Sequence, residues 1–285
     1  MSGEQRASAE IRVEHRGPIS WIVLNRPEQA NALSSSLLAQ FSAALDELET
    51  QGGPVIGIRA EGKGFCAGMD LGQYGGAGTL DPVADADRLN RNVGRWLAMW
   101  DHPKPVIAAV HGYCAGVGAQ MCVFADITVV ADDVRISEPG LPIGGGFIAP
   151  TWVAQVGAKR AKEFAFVPGN SIDGPTAVAW GWANHCVPAG SLVAAVEALA
   201  ARIALVPPDV LRVKKQSINR AAEAAGFRAA AGGIAEMDAL LHLAPSVLAI
   251  RERMAREGLK AVLADYKGPS STAIMAEFKE RNANG

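Results

Sequence analysis

Residues 106–121 read VIAAVHGYCAGVGAQM: an apolar, β-branched run gives way to glycine and alanine and then to a helix-forming segment. A run of this kind makes a strand buried on both faces, so the rest of the chain has to supply layers that cover it. The small residues Gly112, Ala115, Gly116 and Gly118 that follow let a ligand approach the backbone. A helix beginning near Gly116 leaves its first N–H groups without internal partners, and its dipole places roughly half a positive charge at that end. Negative charge is favoured there.

A second turn of the same type lies upstream, where Lys63-Gly64-Phe65-Cys66-Ala67-Gly68-Met69-Asp70 follows the apolar run Val55-Ile56-Gly57-Ile58-Arg59. If they converge on one oxygen, two such turns present a pair of backbone donors to an enolate or a tetrahedral intermediate, with one donor contributing about 2.7–4 kcal/mol. Two ordinary tight turns, unconnected in space, leave the same pattern.

At 285 residues, 49% hydrophobic and 20% charged, the chain suffices for one large domain or one domain with an appendage. A net charge of -2 and a pI near 6.2 give no general attraction to nucleic acid or anionic lipid, so neither is expected as a partner. Cys66, Cys114, Cys122 and Cys186 lack the paired spacing of a zinc site and sit among apolar neighbours, so buried reduced thiols are expected. His102, His111, His185 and His242 have no metal-ligand spacing either, and no metal is expected. The N-terminal segment lacks an apolar signal core, and no stretch of about 18 uninterrupted apolar residues occurs, which points to a soluble protein of a reducing cytoplasm without a membrane partner.

Along the chain, 11–15 and 19–24 read as a hairpin around Arg16-Gly17-Pro18. Residues 34–50 carry Leu37, Leu38, Phe41, Leu45 and Leu48 at helical spacing, with Gly52-Gly53 as a stop. Asp81-Pro82 caps a helix ending near Asp101, whose apolar face holds Leu89, Val93, Trp96, Leu97 and Trp100, as core or as the wall of an apolar pocket. The glycine-rich stretch 72–79 and Tyr74 are candidates to cap that pocket. After a strand at 127–131, helices dominate: 151–166, 175–182, 191–206, 208–224 and 246–266. The division expected is a core over 1–190 and a helical, subunit-joining region over 191–285.

No dinucleotide fingerprint, phosphate-binding GxxxxGK[ST] motif or GxSxG elbow is present. Three ordered motifs are: Leu24-Asn25-Arg26-Pro27 with Asn31-Ala32-Leu33; then Gly64 to Leu71; then His111-Gly112-Tyr113 with Gly116 and Asp126. Their order and separations resemble the crotonase (enoyl-CoA hydratase/isomerase) superfamily, and with Arg256-Glu257-Gly258-Leu259 the likeness spans about residues 10–266. The resemblance implies an α/β fold, a crotonase-like spiral of ββα turns with two roughly perpendicular sheets and a C-terminal helical region that forms trimers or hexamers. It implies an acyl-CoA thioester as the small-molecule substrate, with coenzyme A part of that substrate and no separate cofactor. By the same resemblance the N–H groups of Met69 and Val117 hold the thioester oxygen. Ala67, Gly68, Asp70 and Leu71 line the CoA path, Arg26 lies near the phosphates, and Gly116 and Gly140 border the substrate. Val117 stands where the family usually has glycine and crowds the acyl group.

The acids depart from the family's pattern. The two glutamates of the hydratases fall on Gln120 and Gly140; glutamine exchanges no proton near neutrality, though its amide can hold a water, which keeps Gln120 among the catalytic candidates, and glycine supplies only space. Glu138 is the nearest substitute, since residues 138 and 140 of an extended segment share a face, although Pro139 permits a turn. The expectation is therefore an enzyme, a lyase or isomerase closest to enoyl-CoA hydratase, stabilising an enolate with Glu138, a water or a substrate group moving the proton. Decarboxylation, thioester hydrolysis and a catalytically silent acyl-CoA binder remain the alternatives.

Overall fold

The computed structural model describes residues 9–74, 81–144, 149–233 and 235–283; the glycine-rich stretch from 75 onward and the side chain of Tyr74 lie outside the described residues. Strands β1 (Ile11–Arg16) and β2 (Ile19–Leu24) form the expected hairpin, with Arg16 opposite Ile19. Helix α1 (Ser35–Thr50) starts where Ser34 Oγ accepts the Leu37 amide at 3.0 Å, and it buries the five apolar residues picked out by spacing. Then come β3 (Val55–Ala60), the single turn α2 (Leu71–Tyr74), α3 (Pro82–Asp101) capped by Asp81, β4 (Val106–Val110) and β5 (Tyr113–Ala115). The central part closes with α4 (Val117–Val123), β6 (Ile127–Ala131), β7 (Arg135–Ser137), α5 (Ala149–Phe166), β8 (Ser171–Asp173), α6 (Gly174–Trp180) and β9 (His185–Val187). Seven helices follow: α7 (Leu192–Ile203), α8 (Pro208–Ala224), α9 (Phe227–Gly232), α10 (Ala235–Leu241), α11 (Pro245–Glu257), α12 (Leu259–Ala264) and α13 (Ser271–Ala283).

Six strands form one sheet in the order β1-β2-β3-β4-β6-β9, parallel from β2 onward. Alternate residues divide between two cores. Ile22, Leu24, Ile56, Ile58, Ala108 and Val110 pack with α1 and α3, whereas Trp21, Val23, Val55, Ile107 and Ala109 pack with Leu192, Val196 and Ala200 of α7. That two-sided cover is what a continuous apolar run in a parallel strand requires. Trp96 is core rather than pocket wall, edge-on to Phe41 at 5.9 Å, and Trp100 stacks on Phe227 at 4.3 Å.

A second sheet, β5-β7-β8, holds strands of only three residues each, too short for alternation to announce. The expected helix over 246–266 is two: Gly258, at φ +86°, interrupts the helical backbone between α11 and α12. Among the described residues no single helix is long and apolar enough to cross a membrane. The C-terminal helices lie on the chain's own core. Lys215 of α8 reaches Asp126 at 2.7 Å and the Met99 and Lys104 carbonyls, and Asn219 donates to the Trp100 carbonyl at 2.8 Å. Around α10, His242 Nδ1 meets Asp85 of α3 at 2.5 Å, and Arg88 shares the same carboxylate.

Candidate functional site

The small sheet is what brings the sequence motifs together. β5 and β7 run parallel with Ala115 opposite Ser137, and a single parallel backbone β-pairing joins Cys114 of β5 to Cys66, both thiols being free. The Phe65 amide donates to the Tyr113 carbonyl at 2.8 Å, the Ala115 amide to the Cys66 carbonyl at 2.8 Å, and the Gly116 amide to the Ser137 carbonyl at 3.1 Å. Three loops from distant parts of the chain therefore lie side by side: 64–70, 112–117 and 135–138.

Met69 ends the first loop. It bridges Leu33 in parallel fashion, through the Leu33 amide to the Gly68 carbonyl (2.8 Å) and the Asp70 amide to the Leu33 carbonyl (3.2 Å). In a parallel ladder the partner uses the groups on either side of a residue, so the N–H of Met69 itself points away from Leu33. Val117 is the first residue of α4, where an amide has no intrahelical acceptor. Among the described residues neither the Met69 nor the Val117 N–H has a hydrogen-bond partner. The two turns touch: a side-chain carbon at position 68 would stand 3.2 Å from the Ala115 oxygen and 3.8 Å from the Val117 nitrogen, and Gly68 has φ +96°. Gly118 is just as confined, since a carbon there would sit 2.8 Å from Cys66 Sγ. The Val117 side chain turns into the main core cluster, so what it offers outward is the amide. With seven residues α4 is two turns long, and the donor itself matters more here than a helix dipole.

Glu138 follows β7 directly, and its amide donates to the Asn170 carbonyl at 2.8 Å. Its carboxyl makes no hydrogen bond or ion pair among the described residues, and burial alone pushes its pKa up to about 8. The extended geometry that would have put 138 and 140 on one face stops at a bend at Gly140. The space beside Gly140 is not open: a carbon built there would meet Leu263 Cδ2 of α12 at 2.8 Å. Gln120, on α4, is completely buried.

Other residues singled out by sequence hold the loops. Arg26 pairs with Asp70 and with Glu10, each at 2.9 Å, and donates to the Ala32 carbonyl at 2.8 Å, in a cleft of about 540 Å³ that Glu28 and Gln29 also line. Asp70 also accepts the Gly72 amide at 3.0 Å, which starts the Leu71 turn, and the Ala67 amide donates to the Ala30 carbonyl at 3.0 Å. His111 Nε2 lies 3.1 Å from the Gly62 carbonyl. Cys66 is fully buried beside Asn31, its thiol pushed up to about 12 by burial and therefore unreactive. Among the described residues no His, Cys, Asp and Glu cluster could hold a metal. Sequence reasoning missed Asn170 and Lys215, because neither sits in a motif and both act through partners far along the chain.

A profile of the enoyl-CoA hydratase/isomerase family matches residues 14–246. The chain is 29% identical over 220 residues to hydroxycinnamoyl-CoA hydratase-lyase of Pseudomonas fluorescens, covering 75% of this chain and 79% of that protein. It is 32% identical over 212 residues to 1,2-epoxyphenylacetyl-CoA isomerase of Escherichia coli, covering 70% and 78%. Among solved structures, a protein of Novosphingobium aromaticivorans described as an enoyl-CoA hydratase/isomerase superposes with a TM-score of 0.92 at 58% identity, over 94% of this chain and 99% of that one.

Proposed function

This chain belongs to the enoyl-CoA hydratase/isomerase family, and from that premise we propose that it is an acyl-CoA enzyme whose Met69 and Val117 amides receive the thioester oxygen while Glu138 transfers a proton at the neighbouring carbon. The observation that carries the reading is the pair of amides without partners among the described residues, on two loops in contact at Gly68. Two N–H donors on one carbonyl oxygen draw electron density from the α-carbon and stabilise the enolate formed when its proton leaves. No metal or second organic group is needed for that step.

The proton goes to Glu138 because of its place and its acidity. Residue 138 lies one position beyond the Ser137 carbonyl that receives the Gly116 amide, next to the first turn of α4. A carboxyl with a pKa of about 8 is mostly protonated near neutrality, with a carboxylate minority, so it can give a proton to an enolate or take one from an α-carbon. Gln120 and Gly140 contribute no titrating group, and the reaction is accordingly written as proton transfer at the α-carbon.

The test is solvent deuterium exchange at the α-carbon of a bound acyl-CoA, with aryl-acyl thioesters first because the hydroxycinnamoyl and phenylacetyl names of two relatives suggest them. Exchange in the wild type that is lost in Glu138→Gln supports the reading. Tight binding without any exchange identifies a silent binder instead.

A further inference from the structure

Asn170 is completely buried, and all its polar atoms are engaged. Its amide donates to the Val167 carbonyl at 3.0 Å, and its own carbonyl accepts the Glu138 amide at 2.8 Å. Oδ1 accepts the amides of Ser171 (2.9 Å) and Ser271 (3.0 Å), while Nδ2 donates to the Glu163 carbonyl (3.1 Å) and to Ser271 Oγ (3.2 Å). Ser271 is the first residue of α13, so its N–H is one that the helix cannot satisfy from within. Asn170 supplies the missing acceptor from across 101 positions of sequence.

The Glu138 side chain has no partner of its own among the described residues, so its reach is set by where its backbone is held. That hold is the Asn170 carbonyl. Two residues on, the Leu263 side chain of α12 packs over Gly140, where an added side-chain carbon would meet Cδ2 at 2.8 Å. Both rest on the C-terminal helices, which therefore reach the site without contributing a reacting atom to it.

We infer that Asn170 and Ser271 are positioning residues: the bonds between the Asn170 side chain and the start of α13 hold the Asn170 carbonyl, and through it the Glu138 backbone, in the place from which the carboxyl reaches substrate. The inference rests on the reading of Glu138 as the proton-transfer group. A merely structural contact would alter stability and leave the chemistry of the folded fraction as it was.

Ser271→Pro separates the two. Proline suits the first position of a helix, so α13 is kept while both the N–H and the hydroxyl that meet Asn170 are lost. Ser271→Thr keeps both groups, and Ser271→Gly keeps only the amide. The readout is α-carbon deuterium exchange on bound acyl-CoA as a function of pH, with binding measured separately. Ser271→Pro is expected to slow exchange about tenfold at unchanged affinity, as a small misplacement of a catalytic group does. It should also move the pH limb from near 8 downward, because a loosened segment admits water to Glu138. Ser271→Thr should behave as wild type and Ser271→Gly should fall between, and the glycine variant decides the matter if the proline variant does not accumulate. A limb that vanishes in Glu138→Gln but stays in place, at full rate, in Ser271→Pro and Ser271→Gly overturns this inference alone. A limb that survives in Glu138→Gln overturns the reading beneath it, and this inference with it.

Discussion

Gly68 and Val117 meet backbone to backbone: a side-chain carbon on the first would lie 3.8 Å from the amide nitrogen of the second and 3.2 Å from the Ala115 oxygen. Nothing larger than hydrogen fits there without shifting one turn against the other. Gly68→Ala adds that carbon and also forces alanine to φ +96°, a conformation costing roughly 1–2 kcal/mol for an L-residue. Turnover should fall about a hundredfold, the usual effect of misplacing one oxyanion donor, while thermal unfolding shows a folded protein melting a few degrees lower. Unchanged turnover would remove these amides from the mechanism.

Glu138 makes stability depend on pH in a direction opposite to that of an ion-paired carboxylate. Its pKa is about 8 in the fold against 4.5 as a free side chain, so between those values the folded chain keeps a proton the unfolded chain has lost. The group's contribution is intact below pH 4.5 and is lost as pH rises through about 8. Glu138→Gln, which never ionises, should therefore raise the denaturant midpoint at pH 9 and leave it unchanged at pH 4. Equal shifts at both pH values would show that the carboxyl is not buried in its neutral form.

Gly140 and Leu263 should couple energetically. Gly140→Val drives a branched side chain into a space where even one carbon stands 2.8 Å from Leu263 Cδ2, so the half-buried leucine has to swing aside, at a cost of about 1 kcal/mol. Adding Leu263→Ala should recover much of the loss. Strict additivity in the double-mutant cycle, measured by chemical denaturation, would show that the two do not meet in solution.

Lys215 and Asp126 form a buried pair that fastens α8 to the main sheet, with the carboxylate also accepting the Val106 amide at 2.7 Å. Lys215→Met leaves Asp126 charged and enclosed, an arrangement that costs about 3–5 kcal/mol. The double variant with Asp126→Asn should be clearly less destabilised than Lys215→Met alone. If it is equally destabilised, packing rather than charge explains the loss.

The long elements were legible because each repeats one signal many times. The apolar run of β2, the leucines of α1 and the Asp81-Pro82 start of α3 fixed those elements nearly to the residue. The turns at Gly68 and Gly116 were legible as turns because glycine after an apolar run permits the positive φ that a sharp change of direction needs. β5, β7 and β8 were not, because three residues carry no periodicity, and these are the strands that bring the turns and Glu138 together. The relevance of residue 138 came from its distance to a substituted motif position, but its burial came only from the fold. Asn170 and Ser271 left no local sign, since a hydrogen bond spanning 101 residues cannot be read from neighbours.

Glu138 is tethered by its amide, a group every residue but proline possesses, while its side chain is tied to nothing described. The frame thus behaves as a socket indifferent to the tool it carries. Histidine, cysteine or aspartate installed at that position would keep the same backbone anchor to Asn170, so on the proposed reading a change in the type of reaction requires one exchanged side chain rather than a rebuilt scaffold.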